Sequence, residues 1–329
     1  GAVEGEGVDG GVAAHYGDPL REQRLLQDGL AAVDLSHRGV VTVAGPDRLT
    51  WLHSMTTQQL ADLAPRTSAE SLVLSPHGHI EHALHVVDDG ERTWLSVEPG
   101  TAPTLVEWLN RMRFMLRVEV ADVTAQWAVL GEPVAAESLP GEPLAWWDRW
   151  PALVGDTAAY GPVEGHPGVD RPWRELIVPR EALDDAVGDR PLAGTWAAEA
   201  LRVAAWRPRL GFETDHRTIP HELDWLRTAV HLHKGCYRGQ ETVARVRNLG
   251  RPPRRLAFVH LDGSGHTLPL VGADVHVPGV ERPVGRLTSV ARHTTDGPIG
   301  LVVVKRNTPT DVDFVVDGVA AAQTVVVAR

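Results

Sequence analysis

The first 130 residues alternate between segments with helical spacing of apolar residues and segments with strand spacing. Apolar residues at helical spacing predict three helices, at 18–33, 47–55 and 101–113. Short apolar runs predict strands at 40–43, 71–74, 80–87, 93–97, 117–120 and 126–130. Asp89-Gly90 is a strong signal for a hairpin turn between two of these strands. Helices mixed with antiparallel hairpins favour an α+β, ferredoxin-like packing over a doubly wound sheet.

The second half of the chain changes character twice. Residues 131–172 are rich in Pro and Gly, after which a strand is predicted at 175–178 and helices at 180–187, 195–206 and 221–230. After Pro252-Pro253, short β-branched runs broken by Gly and Pro predict a small antiparallel β-barrel. We therefore expect a Gly-rich disordered tail at 1–14, an α+β region of two intertwined subdomains at 15–252, and a C-terminal barrel at 253–329.

The composition and charge of the chain argue against several classes of function. The chain of 329 residues carries a formal net charge of -11, which argues against a nucleic-acid-binding surface as its main function. A single cysteine excludes an intrachain disulfide and a four-cysteine metal or cluster site within one chain. The sequence shows no apolar run of membrane-spanning length and no signal-peptide pattern, so we expect no membrane association and a cytoplasmic location.

The single cysteine lies in the most distinctive stretch of the chain, Lys234-Gly235-Cys236-Tyr237-Arg238-Gly239-Gln240-Glu241. Nearby cations and a helix N-terminus lower the pKa of a cysteine, and the thiolate is its reactive form. Lys234 and Arg238 supply positive charge, and Gly239 precedes a run that can begin a helix. A small buried cysteine in a tight turn is the alternative interpretation.

This octapeptide, followed by Ala244-Arg245, resembles the signature of the YgfZ family of folate-binding proteins, which assist the assembly or repair of iron–sulfur enzymes. That family is similar in fold to the aminomethyltransferase (T-protein) of the glycine cleavage system. Supporting segments are Asp34 to Gly39, Val43 to Leu49, Ala200 to Ala205, Ile219 to Glu222 and Val284 to Ser289. The resemblance implies a folate-binding α+β fold of the aminomethyltransferase type followed by a small antiparallel barrel.

The resemblance also implies a pocket between the N-terminal subdomains and the barrel, lined partly by the cysteine motif. On that basis tetrahydrofolate or a related folate is the expected cofactor, and iron–sulfur enzymes or cluster assembly proteins are the expected partners. The expected catalytic residues are Cys236 and Lys234, and the expected folate-binding residues are Tyr237, Arg238, Gly239, Gln240, Glu241 and Arg245. For Glu241, a charge that favours the helix dipole is an equal alternative. His231 and His233 flank the loop as a base or a hydrogen-bonding frame.

Two departures from the T-protein pattern argue for an accessory protein over a conventional enzyme. His82 and Ala83 stand where that family has an acid that activates folate, and Glu81 is one position away, which in a strand is the opposite face. Ala204 stands where it tends to carry a second acid. A folate-dependent aminomethyltransferase, with Glu81 as its carboxylate, and a non-catalytic docking adaptor remain the alternatives.

Histidines near the second hairpin raise a metal alternative. His77, His79 and His85 share one face by strand parity and His82 does not, which allows at most a three-histidine site. No cysteine or carboxylate spacing completes a known zinc pattern, so we expect no metal site.

Overall fold

A computed structural model describes residues 1–134, 144–265 and 267–328. The described α-helices are α1 Pro19–Gln27, α2 Arg48–Met55, α3 Ala102–Met112, α4 Leu183–Val187, α5 Thr195–Ala204, α6 Leu226–Ala229 and α7 Gln240–Leu249. None of them is long and apolar enough to cross a membrane.

The described strands are β1 Val3–Glu4, β2 Ala13–His15, β3 Ala32–Asp34, β4 Gly39–Ala44, β5 Ser68–Leu74, β6 Ile80–Asp88, β7 Arg92–Val97, β8 Glu119–Asp122, β9 Trp127–Pro133, β10 Ala145–Asp148, β11 Trp173–Pro179, β12 Leu192–Ala193, β13 Arg254–Leu261, β14 Asp274–His276, β15 Gly285–His293, β16 Gly297–Lys305, β17 Phe314–Val316 and β18 Val319–Val325.

Two five-stranded sheets form the N-terminal part. The first sheet, in the order β5-β6-β7-β4-β8, is antiparallel and packs the apolar faces of α2 and α3 through Leu52, Leu105 and Leu109. The second sheet, in the order β10-β11-β9-β3-β12, is antiparallel except for the β3/β12 pair. Leu26 of α1 and Ala197 of α5 are buried against its face.

The C-terminal part is a closed six-stranded antiparallel barrel, β13-β16-β15-β14-β17-β18, filled by a core of its own. Closure leaves no free sheet edge. The predicted α+β class with a C-terminal antiparallel barrel is confirmed.

The structure differs from the sequence predictions at the N-terminus. Residues 1–14, for which composition predicts a disordered tail, form the β1–β2 hairpin, with Val12 and Ala14 buried. The hairpin's connecting segment brings Asp9 to within 2.8 Å of the guanidinium of Arg209. A Gly-rich composition could not reveal this partner, since it lies 200 residues away in the sequence.

Two predicted helices are shorter or more broken than their apolar spacing indicates. Helix α1 ends at Gln27, because Gly29 takes up a left-handed conformation (φ 73°), and Val33 belongs to strand β3. The segment 221–230 is interrupted by Asp224, also left-handed (φ 57°), which separates a 3-10 turn from α6. In both cases a local backbone turn overrides the spacing of apolar residues.

Candidate functional site

A central cavity of about 80 Å³ lies between the two N-terminal sheets, α5 and the loop that follows α5. We call it the central cavity. Its lining includes Asp9, His37, Arg38, Ala83, His85, Glu98, Trp146, Asp148, Arg171, Trp173, Glu175, Thr195, Glu199, Arg202, Arg207, Arg209 and Trp225. Buried aromatic rings and ionic groups therefore line the same cavity.

Arginine side chains organise the acids on one side of the cavity. Glu98 accepts a hydrogen bond from Arg38 at 3.1 Å and one from Arg209 at 3.0 Å. Arg209 also donates to Glu199 at 3.1 Å and to Asp9 at 2.8 Å. Burial raises the pKa of Glu98, but the charges of Arg209 and Arg38 outweigh it and hold the pKa below its ordinary value. Glu98 is accordingly ionised at neutral pH.

An oriented imidazole lies next to this group, since Arg38 is also 3.7 Å from Oε2 of Glu175. The ring of His85 stacks on Trp146 with centroids 3.6 Å apart and planes 2° from parallel. Its Nδ1 donates to Oε2 of Glu175 at 2.8 Å. Burial raises the pKa of Glu175, but Arg38 and His85 outweigh it and keep the pKa below its ordinary value. Glu175 is therefore a carboxylate held in a fixed position beside a flat aromatic wall.

Arg207, which lines the cavity, forms hydrogen bonds to residues of both N-terminal sheets. It donates to Asp148 at 3.1 Å and to Glu70 at 2.6 Å. Burial lowers the pKa of Arg207, but these two carboxylates outweigh it and raise the pKa above its ordinary value. Asp148 also accepts a hydrogen bond from Arg171 at 3.0 Å. The two guanidiniums are thereby held side by side at the cavity wall.

Several polar atoms of the lining have no hydrogen-bond partner among the described residues. They are Nδ1 of His37, Nε of Arg171, Oγ1 of Thr195 and Nη1 of Arg207, and all four are buried. Oε1 of Glu175 likewise accepts no hydrogen bond from a described residue. Buried polar groups in native proteins are almost always paired with protein, water or ligand. The residues that line the cavity therefore carry unpaired N–H donors on Arg171 and Arg207, and a hydroxyl on Thr195 that can donate and accept.

The cysteine motif lies at the surface, on the turn between β5 and β6. Cys236 is exposed. Gly239 is in the left-handed region (φ 82°), and a Cβ there would come 2.5 Å from the carbonyl oxygen of Ser75, so the loop packs tightly on this turn. Helix α7 begins at Gln240, as the sequence predicts, with the Gln240 side chain accepting a hydrogen bond from the amide of Tyr237 at 3.2 Å.

Lys234 and Arg238, the two cations of the motif, bind groups other than the thiol of Cys236. The ammonium of Lys234 is buried and donates to the carbonyls of His53 and of Thr56, the latter at 2.7 Å. Burial lowers the pKa of Lys234 to about 8. Arg238 pairs with Glu81 at 2.9 Å. Neither cation forms a hydrogen bond to the thiol of Cys236, and the activation of this thiol stays a prediction.

The motif and the central cavity are separate in the structure. Among the described residues that line the cavity, none of the eight predicted site residues is present: Lys234, Cys236, Tyr237, Arg238, Gly239, Gln240, Glu241 and Arg245. Glu241 and Arg245 are exposed on α7. The central cavity is lined by the two sheets, α5 and the loop that follows α5. The roles predicted for the motif residues stay predictions.

The histidines considered as bases or ligands are dispersed. His233 pairs with Asp156, and the amide of His231 donates to the carbonyl of Thr57 at 2.9 Å, so both serve the frame of the loop. His77 and His79 lie in the β5–β6 turn, whereas His85 faces the central cavity. In the part of the chain that the structure describes, no group of three or more His, Cys, Asp or Glu side chains could hold a metal ion.

The carboxylate proposed for the transferase alternative does not reach the cavity. Glu81 sits at a register shift, where Val73 pairs with His82 and Leu74 with Ile80, and its side chain is exposed against Arg238. Ala83 lines the cavity instead. The acids that do line it come from other elements.

Sequence reasoning missed Glu175, Arg207 and Arg209, which meet only through long-range packing. A usable signal was present: Arg202, Arg207 and Arg209 cluster after an apolar helix in an acidic chain. Arginines so close to a core helix require buried acidic partners.

Comparison with known proteins agrees with this architecture. Residues 15–132 match the family model described as the GCVT N-terminal domain. A protein of Arabidopsis thaliana named "Putative transferase At1g60990, chloroplastic" is 27% identical over 323 residues, which cover 92% of this chain and 71% of that protein. An aminomethyltransferase of Symbiobacterium thermophilum is 27% identical over 301 residues, covering 84% and 79%.

The crystal structure of the glycine cleavage system aminomethyltransferase T from Bartonella henselae has the same fold. It matches with a TM-score of 0.77 at 20% identity and covers 99% of this chain and 93% of that chain. The chain therefore has the GCVT-type aminomethyltransferase fold, with mixed α/β sheets and a closed C-terminal barrel, as the resemblance implied.

Proposed function

We propose that this chain binds tetrahydrofolate in the central cavity and acts as an accessory protein for iron–sulfur enzymes. The observation that carries the folate proposal is the set of unpartnered polar atoms beside the stacked His85–Trp146 pair. A pterin needs an acceptor for its amino and ring N–H groups, donors for its carbonyl oxygen, and a flat wall. The cavity supplies all three.

Each requirement has a candidate residue. Oε1 of Glu175, the oxygen that His85 leaves free, is the candidate acceptor for the pterin N–H groups. Nε of Arg171 and Nη1 of Arg207 are the candidate donors to the pterin oxygen. The candidate aromatic wall is the stacked pair of His85 and Trp146. Bound folate supplies a carrier for a one-carbon unit. The chain's own contribution is to orient the ring and exclude water from it.

The small volume of the central cavity limits the size of the molecule that can enter it. A volume of about 80 Å³ holds only a handful of waters. A two-ring heterocycle therefore requires a lining group to move. Asp9 lies on a short hairpin held mainly by its ion pairs and by Val12 and Ala14. We assign the opening motion to this hairpin.

The iron–sulfur role rests on the resemblance of the cysteine motif to the YgfZ signature. An exposed thiol on a rigid loop is accessible to a partner protein. The cavity is separate from this loop, so folate binding and thiol function are predicted to be separable by mutation. Ala83 in place of an activating acid favours an accessory role over transfer chemistry.

The alternative function is folate-dependent aminomethyl transfer. The relatives favour it, since several are named aminomethyltransferases. It requires a carboxylate near the reactive folate nitrogen, and Glu175 and Glu199 are the candidates in the cavity. Turnover of an aminomethyl donor by the purified protein in the presence of tetrahydrofolate would establish it.

The test of the proposed function is complementation of a strain that lacks this protein, with the activity of an iron–sulfur enzyme as the readout. Full-length wild type should restore activity, whereas Cys236→Ala and Glu175→Gln should each fail. Glu164→Gln, in an exposed loop, is the charge-matched control and should behave as wild type. Full rescue by Cys236→Ala would favour a docking adaptor, and full rescue by Glu175→Gln would contradict the role of the cavity.

A further inference from the structure

A surface groove of about 520 Å³ lies beside the cysteine loop, distinct from the central cavity. Three segments line it: the β5–β6 turn with His77 and His79, the loop with Arg217, and the face of α7 that carries Arg245. Its apolar rim is formed by Ile219, Val246 and Pro253. We call it the basic groove.

The segments of the basic groove are fixed relative to one another. The amide of His79 donates to Oγ of Ser75 at 3.1 Å, which closes the turn. The amide of Ile80 donates to the carbonyl of Thr218 at 2.9 Å, which joins β6 to the loop of Arg217. Gly239, at the start of α7, packs directly on the carbonyl of Ser75. A ligand would therefore meet a preformed surface.

Two guanidiniums of the basic groove have no partner among the described residues. The side chains of Arg217 and Arg245 are exposed and form no hydrogen bond or ion pair with any described residue. Asp215, the neighbouring acid, is committed to Arg254 at 2.7 and 3.0 Å. Glu241 lies one turn before Arg245 on α7 and forms no ion pair with it.

Two histidines, His77 and His79, also line the basic groove. Burial lowers the pKa of His79, and the neighbouring His77, His216 and Arg217 lower it further. Asp215 opposes this effect. On the barrel side, Arg254 is held by Asp215 and Glu222, so it adds no free charge. In a chain with a formal net charge of -11, two guanidiniums without protein partners on one surface make a local site for negative charge.

We propose that the basic groove binds a small oligoanion, a molecule with at least two phosphate or carboxylate groups that bridges Arg217 and Arg245. Guanidiniums pair with the oxygens of both groups through charge-assisted hydrogen bonds. The acidic remainder of the chain repels an extended polyanion, so a nucleic acid does not fit this site. This inference does not depend on folate binding in the central cavity.

The experiment is calorimetric titration of the full chain with inorganic triphosphate and, separately, with citrate at low salt. The two probes distinguish phosphate from carboxylate sources. At least one should bind saturably, and the Arg217→Gln/Arg245→Gln double variant should bind it about tenfold more weakly or worse. These arginines have no structural partners, so the variant should melt at the wild-type temperature.

The matched control is Arg21→Gln/Arg24→Gln, which removes the same charge from exposed positions of α1. It should bind the probes as wild type does. Absence of saturable binding of both probes at millimolar concentration, or equal weakening in the control, would overturn the proposal.

Discussion

Substituting Asp9 by Asn tests whether the N-terminal hairpin is latched by charge. Asp9 accepts hydrogen bonds from Arg209 at 2.8 Å and from His37 at 3.1 Å. Burial raises the pKa of Asp9, but His37 and Arg209 outweigh it and hold the pKa below its ordinary value of 3.8. The latch is therefore fully present at neutral pH and is lost only as the pH falls below 3.8 towards the folded-state pKa.

The magnitude follows from what the substitution leaves behind. A hydrogen bond to a charged group contributes about 1.5–3 kcal/mol, and a neutral one about 1 kcal/mol. Arg209 keeps Glu98 and Glu199 as partners, so no buried charge is stranded and the larger penalty of a broken buried pair does not apply. Asp9→Asn should therefore favour opening of the hairpin by about 1–2 kcal/mol, roughly 5- to 30-fold in the opening equilibrium.

Native-state hydrogen exchange measures this opening. The amide of Gly5, which donates to the carbonyl of Val12 at 2.8 Å, reports on the hairpin. In Asp9→Asn it should exchange faster by that factor, while amides of α5 keep their protection. Asp28→Asn, an exposed change at the end of α1, is the control. Unchanged protection of Gly5 in Asp9→Asn would refute the latch, and equal loss across α5 would mean global rather than local destabilisation.

The remaining predictions concern stability. Lys234→Ala should lower the free energy of unfolding by about 2–3 kcal/mol, since it strands two buried carbonyls at the end of α2, whereas the exposed Arg238→Ala should cost under about 1 kcal/mol. Denaturant unfolding would measure both, and equal effects would contradict the structural role of Lys234. Burial lowers the pKa of His221 in the folded chain from 6.5 to about 4. As the pH falls between these values, the unfolded chain takes up a proton on His221 and the folded chain does not. The free energy of unfolding therefore falls by up to about 1.4 kcal/mol per pH unit over this range. His221→Gln should show a smaller acid loss between pH 6.5 and 4, and an unaltered slope would contradict this.

The sequence predicted well where a signal is local. The hairpin turn at Asp89-Gly90, the amphipathic helix around Leu105 and the start of α7 after Gly239 each depend on a few neighbouring residues. The barrel was also visible, because its strands are short and its turns are marked by Gly and Pro.

The central cavity was not visible, because its chemistry depends on contacts between distant residues. Glu175 and His85 are 90 positions apart, and Asp9 and Arg209 are 200 apart. Trp146, which lies in the Pro- and Gly-rich stretch 131–172, forms part of the cavity wall. Because of the octapeptide, the sequence analysis predicts folate-binding residues in the motif. The central cavity lies elsewhere in the fold.

Anaerobic calorimetric titration with tetrahydrofolate tests the central claim most directly, using wild type, Glu175→Gln and a Lys234→Ala/Arg238→Ala variant of the motif. Wild type should bind saturably, Glu175→Gln should bind about tenfold more weakly or worse, and the folded motif variant should bind as wild type does. Absence of saturable binding at millimolar ligand, or wild-type binding by Glu175→Gln with loss in the motif variant, would contradict the assignment of folate to the central cavity.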